Sequence, residues 1–342
     1  MLCQFLPGPA SSQVGIALGL QRAGWMGALA AWLGFTLPSA LLMILFACSV
    51  THLGATAAGS GVVHGLKVVA VAVVAQAVWG MARSLCPDRP RAGVAIAAAL
   101  AVLLVPGTVG QLGAIALGAI AGVTALRVVP RAQPAWTGRG IRRRTGAVLL
   151  AIFVALLVLL PAAAALVPSP ALQTIAVVYQ AGSLVFGGGH VVLPLLQAGV
   201  VPPGWVDNDA FLAGYAAAQA VPGPLFTLAA YLGAVMTPLG GWTGGLVLLL
   251  AIFLPAFLLV AGALPFWDAL RAGAGVQRTV AGINAAVVGV LGAALYDPVW
   301  TGAIHSRIDA ALALACFGLL VHARMPPVAV VALGALAGAF LG

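Results

Sequence analysis

The chain has 342 residues, of which 63% are hydrophobic and only 6% charged. That is too little polarity to cover a water-soluble globule of this size. Its fifteen basic residues include one lysine, Lys67, and its six acids are all Asp, for a net charge of +9. Such an excess suits arginine-bearing loops beside anionic lipid. One arginine cluster without interleaved aromatics does not make a nucleic-acid surface, so no nucleic acid is expected as a partner. The four cysteines, Cys3, Cys48, Cys86 and Cys316, have no CxxC spacing and read as small packing residues, not a disulfide or metal framework. The N-terminus lacks a basic stretch ahead of an apolar core, so no cleavable signal peptide is expected. The composition points to an all-α polytopic protein of the inner (plasma) membrane.

About twenty apolar residues cross the hydrocarbon, where only helices or closed barrels satisfy the backbone. The apolar runs lack period-2 alternation, which favours helices. In chain order, segments are expected at 2–22, 25–50, 62–84, 92–105, 111–127, 146–167, 171–198, 209–236, 242–266, 277–296, 308–321 and 326–341. The total is about 10–12 transmembrane or half-membrane helices. The loop between the fifth and sixth carries Arg127, Arg131, Arg139, Arg142, Arg143 and Arg144 with no acid, which places it in the cytoplasm. Counting outward puts Arg22 and the loop with Arg83, Arg89 and Arg91 on that side. In the second half the loop with Arg271 and Arg278 also falls inside, whereas its first-half counterpart near 51–61 has no Lys or Arg and falls outside.

One membrane motif occurs twice. Gln4-Phe5-Leu6-Pro7-Gly8-Pro9 returns as Gln219-Ala220-Val221-Pro222-Gly223-Pro224, displaced by 215 residues. A displacement of 217 carries Trp25-Met26-Gly27 onto Trp242-Thr243-Gly244, Pro38 onto Pro255, and Gly65-Leu66-Lys67 onto Gly282-Ile283-Asn284. A weaker match at 216 relates Gly118 and Gly122 to Gly334 and Gly338. The expectation is two homologous, inverted repeats: residues 1–127, a basic cytoplasmic linker at 128–145, and residues 146–342. Duplicated segments broken by Gly and Pro mark secondary transporters.

The breaks are the candidate site. Gly187-Gly188-Gly189-His190 interrupts one apolar run, and Gln219 to Thr227, with Pro222, Gly223 and Pro224, interrupts the next. Three glycines weaken a helix by roughly 1 kcal/mol each, and prolines remove backbone donors. At membrane depth such breaks need protein or a water-filled cavity around them. A helix restarting after Pro224, or after Pro9 beside Ser11, Ser12 and Gln13, offers free N–H groups and a positive dipole end, an anion-binding arrangement. A single Gly or Pro of this kind reads as close packing or a kink; the intact repetition of the motif favours the site. Lys67 either lines the path or snorkels to the outer interface. His64 lies one turn before it, and Asn284 occupies its repeat position. Gln76 could donate to an oxyanion or bond between helices. His52, His305 and His322 read as loop or interface residues. Donor-rich and acid-free segments favour an anion over Na⁺, a metal ion or a carboxylate proton relay. The chain offers no clustered ligands for metal chemistry, so no enzyme activity, cofactor or metal is expected.

These residues resemble the chromate ion transporter (CHR) family. The matching stretches are Phe186 to Pro194, Gly204-Trp205-Val206, Phe211 to Tyr215, Gln219 to Pro224 with Tyr231-Leu232-Gly233-Ala234, Phe253 to Phe257, and Gly282 to Gly289. In the first half, Cys3 to Pro9 and Gly65-Leu66-Lys67 match as well. The resemblance implies an inner-membrane protein of two homologous halves that exports chromate, a sulfate-like tetrahedral dianion, and so confers chromate resistance. It equally accommodates sulfate or another oxyanion, and leaves a homodimer open. Family members usually carry a Gly-rich motif in the first half too, ahead of the element that here begins at Gln4. The expectation is therefore a start site set too far downstream or a truncated chain, in which case a non-transporting family member is the alternative. Export of a dianion through an inside-negative potential releases about 4.6 kcal/mol per 100 mV, twice the single-charge value, and so needs no coupling ion.

Overall fold

The computed structural model of the protein describes residues 6–53, 57–127 and 141–341, and among these every regular element is helical. Gln4, Cys3 and Arg131 and Arg139 of the basic loop lie outside the described residues. The first half comprises α1 (Ala10–Leu53), α2 (Ala57–Leu85), α3 (Arg89–Leu104) and α4 (Thr108–Ala125). The second comprises α5 (Arg143–Leu166), α6 (Pro170–Leu184), α7 (Val192–Val200), α8 (Asn208–Ala220), α9 (Leu228–Val235), α10 (Gly241–Ala263), α11 (Trp267–Ala272), α12 (Ala274–Ala294), the single turn α13 (Thr301–Ala303), α14 (Arg307–Val321) and α15 (Pro327–Leu341). Side-chain caps fix several starts. Asp88 accepts from Arg91 N–H, Ser169 from Leu172, Asp207 from Ala210, and Ser306 and Asp309 form a reciprocal capping box, each satisfying an orphan donor of the first turn.

Among the described residues, six helices are long and apolar enough to cross a membrane, as a multi-pass membrane protein requires. Burial sorts them. The most apolar stretch of α10 is 72% buried within the protein, whereas that of α5 is only 6% buried. So α10 and the similarly enclosed α2 and α12 form the centre, and α5 presents Val148, Ile152, Val154, Val158 and Leu159 to lipid.

The break expected between segments 2–22 and 25–50 is present within α1, where Ala23 and Gly24 leave helical geometry and Gly24 takes a φ of 64°. The chain folds back there, and Gly19 and Gly27 approach so closely that a Cβ on either would strike the other's carbonyl oxygen. Segments 171–198 and 209–236, each expected as one apolar run interrupted by a Gly/Pro break, do more than kink there. Each turns back on itself at its break and forms a hairpin. The hydroxyl of Tyr231 donates to the carbonyl of Ala210 at 2.9 Å, although 21 residues of straight helix would separate them by about 31 Å. Likewise a Cβ on Gly199 would meet Val177, where a straight helix would place them about 33 Å apart. The reason is local. The extended residues Val185 and Val221 end α6 and α8, and glycines at φ of 75°, 145° and 157° (Gly187, Gly188, Gly223) reverse the chain, which costs little only for glycine.

The packing follows the sequence duplication. Gly61 and Gly65 of α2 pack on Gly338 and Gly334 of α15, while Gly282 of α12 packs on Gly118 and Gly122 of α4. The displacement that relates Gly65 to Gly282 is 217, and 216 relates Gly118 to Gly334, so glycines at matching displacements make matching contacts. Each half thus lends its final helix to the other. The close approach of Gly19 and Gly27 is matched by that of Gly233 and Gly244, at the α9–α10 hairpin. Such glycine seams let helix backbones meet in lipid.

Candidate functional site

The site is built where three chain reversals meet. The turn at Leu6–Pro9 precedes α1, the turn at Val185–Gly188 joins α6 to α7, and the turn at Val221–Pro224 joins α8 to α9. The N–H of Gly8 donates to the carbonyl of Val185 at 2.6 Å, which ties the first turn to the second. A Cβ on Gly189 would touch Leu225 at 3.7 Å, which brings the second to the third. Ser39 of α1 donates to the carbonyl of Pro222 at 2.5 Å, holding the third against the first half. In the reciprocal position, Gly8 faces Ala256 of α10. The first turn is closed by Gln13, whose amide donates to the carbonyl of Pro7 at 2.6 Å.

The polar groups at this junction are His190, Gln219 and Tyr215. The amide nitrogen of Gln219 lies 3.2 Å from His190 Nδ1, and the Tyr215 hydroxyl 3.1 Å from the same atom. An amide nitrogen can only donate, so where the Gln219 amide donates to the ring, Nδ1 accepts. The Nε2–H is then the remaining donor of the ring. Beside it, the first N–H groups of the helix that restarts at Gly189 have no intrahelical acceptor.

His190 and Gln219 form the inner end of an open cavity of about 740 Å³. Its walls include Gln76, Arg83 and Ser84 of α2, Arg324 from the α14–α15 connection and Pro327 at the start of α15, and among the described residues no acidic one. Arg83 and Arg324 are exposed, whereas His190 and Gln219 are half-buried, so the arginines mark the mouth. A second cavity of about 240 Å³ lies at the C-terminal ends of α3 and α12, lined by Gln111, Gln197 and Asp297 among others.

The remaining candidates are distributed around this junction. Pro9 and Pro224 are buried, Pro222 and Gly223 exposed. Gly187 is packed near Met81 and Leu85 of α2 and Val287 of α12, and Gly188 has open space around it. Asn284 lies one turn from Val287, and its Oδ1 is buried without a partner. Thr227 caps its own turn by donating to Pro224 at 3.0 Å. Ser11 is exposed, while the Ser12 hydroxyl is buried without a partner. Lys67 stands apart from the junction. Its ammonium is 2.8 Å from Asp209 at the start of α8, with 8% of the Lys67 side chain and 59% of Asp209 exposed. Three residues earlier, His64 meets Asp309 of α14 at 2.7 Å. Neither partner was foreseeable, because both acids lie near helix starts more than a hundred residues away.

Several residues of the site carry no local sequence signal. Arg83 reads as a topology marker and Arg324 carries no signal at all, and only the packing of α2 beside α14 and α15 places them on one cavity. The same holds for Trp32 and Thr36 of α1, whose buried Nε1 and Oγ1 have no partner. With Ser39 they recur every three or four residues, the spacing of one helix face.

The chain matches the family model described as chromate transporter over residues 1–126 and 172–339. It is 31% identical over 316 residues to the chromate transport protein of Pseudomonas aeruginosa, covering 86% of this chain and 69% of that protein. It is 26% identical over 297 residues to the probable chromate transport protein of Synechococcus elongatus, covering 86% and 72%. The chromate transport protein of Cupriavidus metallidurans is 26% identical over 295 residues, covering 85% and 69%. No solved structure matches the chain. With its helical membrane architecture, this similarity through both halves establishes that the chain belongs to the chromate transporter family.

Proposed function

We propose that the protein carries chromate, or a closely similar tetrahedral oxyanion, out of the cytoplasm and so confers chromate resistance. The observation that supports this most directly is the acid-free cavity that leads from Arg83 and Arg324 to His190 and Gln219. Guanidinium groups and amide or imidazole N–H donors suit an oxyanion. A cation would meet only repulsion at such a mouth. Lying beside freed backbone donors, His190 and Gln219 receive the anion where the reversals of both halves converge. The buried, partnerless hydroxyls of Ser12 and Thr36 and the indole N–H of Trp32 are further donors that an arriving anion or its water could satisfy.

The equivalent glycine seams support two structurally related halves, and the charge bias of the loops supports their inversion. In that orientation Arg83 and Arg324 face the cytoplasm, so the larger cavity opens inward. Both halves of the junction come from one chain, and the reading does not require a homodimer. Sulfate offers the same charge and oxygens as chromate and is the second substrate to test.

Chromate accumulation in sulfate-replete cells expressing the chain, with membrane insertion verified, is the first test. Accumulation should fall below that of empty-vector cells. Equal accumulation with confirmed insertion would overturn chromate export, and the same assay with labelled sulfate then decides the alternative substrate.

A further inference from the structure

Resting on that transport reading, we infer that Arg83 and Arg324 form a distinct capture subsite that holds a free tetrahedral dianion at the cavity mouth before it reaches His190 and Gln219. Arg83 and Arg324, from separate parts of the chain, line one cavity. Among the described residues neither is paired with a carboxylate, whereas the neighbouring Arg91 is 3.5 Å from Asp88. Two unneutralised guanidiniums match the charge of a dianion, and their planar forks suit its oxygens.

Each arginine is also held in a specific way. Arg83 lies over the ring of Trp79, 5.8 Å from its centroid, a cation–π contact that restricts the side chain while leaving its N–H edge free. Arg324 has a φ of 53° and is the only non-glycine residue at positive φ among the described residues. The turn is closed by the N–H of Met325 donating to the carbonyl of Leu319 at 3.0 Å. Glycine would take that backbone conformation without steric cost. An arginine in a strained position facing a cavity is a reason to look for function there. Cations near the ends of α2 and α14 also complement the helix dipoles, but that effect needs neither a shared cavity nor a left-handed backbone. The phosphate of an anionic lipid has the same chemistry as the free dianion, and the test must separate them.

The full chain is reconstituted in vesicles of phosphatidylcholine alone, and chromate flux is measured with the anion supplied at the Arg83 face or at the opposite face. The variants are Arg83→Gln and Arg324→Gly, the second of which removes the guanidinium while relieving the backbone. For anion supplied at the Arg83 face, each variant should raise KM about tenfold, the effect of losing one modest charge-assisted contact. The rise should exceed any fall in kcat, and KM should depend less steeply on ionic strength. Arg83→Lys should recover part of the affinity. Parent-like KM and salt dependence in both variants, with flux present in the parent, would overturn the subsite alone. Absence of oxyanion flux in the parent would overturn the transport reading and the subsite with it. An effect of the variants seen only after adding anionic lipid would assign the arginines to headgroups and overturn the free-anion subsite.

Discussion

His190 shows how an individual residue acquires its role. In the sequence it is a histidine after three glycines, and in the structure its Nδ1 is engaged by Gln219 and Tyr215. That engagement orients the ring and, in the proposed reading, leaves Nε2–H to meet the anion. Gln219→Ala should therefore reduce transport about tenfold by freeing the ring, in line with the loss of one half-buried hydrogen bond. Vesicle flux at fixed protein density measures this. Gly188→Val and Gly223→Val should abolish flux while leaving insertion intact. Both glycines occupy positive φ, where a β-branched residue costs about 1–3 kcal/mol, and a side chain at either would block approach to the backbone. Lys67 and Asp209 make an asymmetric pair. Lys67→Ala leaves an exposed carboxylate in water and should shift stability little. Asp209→Ala strands a buried ammonium and should cost about 3 kcal/mol. Thermal unfolding in detergent distinguishes the two, and equal losses would refute the asymmetry.

Among the elements, the hairpins are what the chain pattern left undecided. Apolar content marks 171–198 and 209–236 as membrane-embedded, and Gly and Pro mark where they break. Whether a broken helix continues across or turns back depends on which neighbours the second arm finds. Here α9 packs back on α8 through Tyr231 and Gly214, and α7 on α6 through Gly199 and Val177. Helix association was more legible, because the glycines recur at matching displacements. A Cβ on Gly65 would strike the Gly334 carbonyl oxygen, and one on Gly282 that of Gly118. Gly65→Val and Gly282→Val should therefore each destabilise the protein by about 1–3 kcal/mol through overpacking. Gly15→Ala, which would meet nothing within 4 Å, should be neutral or stabilising by up to about 1 kcal/mol. The two seam variants should unfold at lower temperature than the parent, and the control should not.

At the scale of the whole molecule, the arginine-bearing cavity of about 740 Å³ lies at the C-terminal end of α2, and a smaller one of about 240 Å³ lies at the C-terminal ends of α3 and α12. In the proposed orientation, the ion pairs Lys67–Asp209 and His64–Asp309 lie on the outer half of α2, about 24 Å along the helix from Arg83. They tie the starts of α8 and α14 to α2 at the end away from the arginine mouth. For the proposed export, the charge of the dianion makes the membrane potential a sufficient driving force. Dissipating the potential in energised cells should stop efflux even with the pH gradient maintained. Continued efflux under those conditions would show that another gradient drives the step.

The sequence by itself determined the class of molecule, the helical membrane architecture, the duplicated motif and the positions where helices break. Those features depend on composition and on residues near one another in the chain, and hydrocarbon permits few alternatives for their backbone. It also placed Gly187 to His190 with Gln219 among the residues to examine, because three glycines or two prolines at membrane depth are costly without cover. Tertiary structure alone decided that the reversals of both halves converge, that Lys67 meets Asp209, and that Arg83 shares a cavity with Arg324. Each of these depends on contacts between helices far apart in sequence. Their interfaces are built from small residues that suit several partners, and only the packing of the whole bundle selects among them.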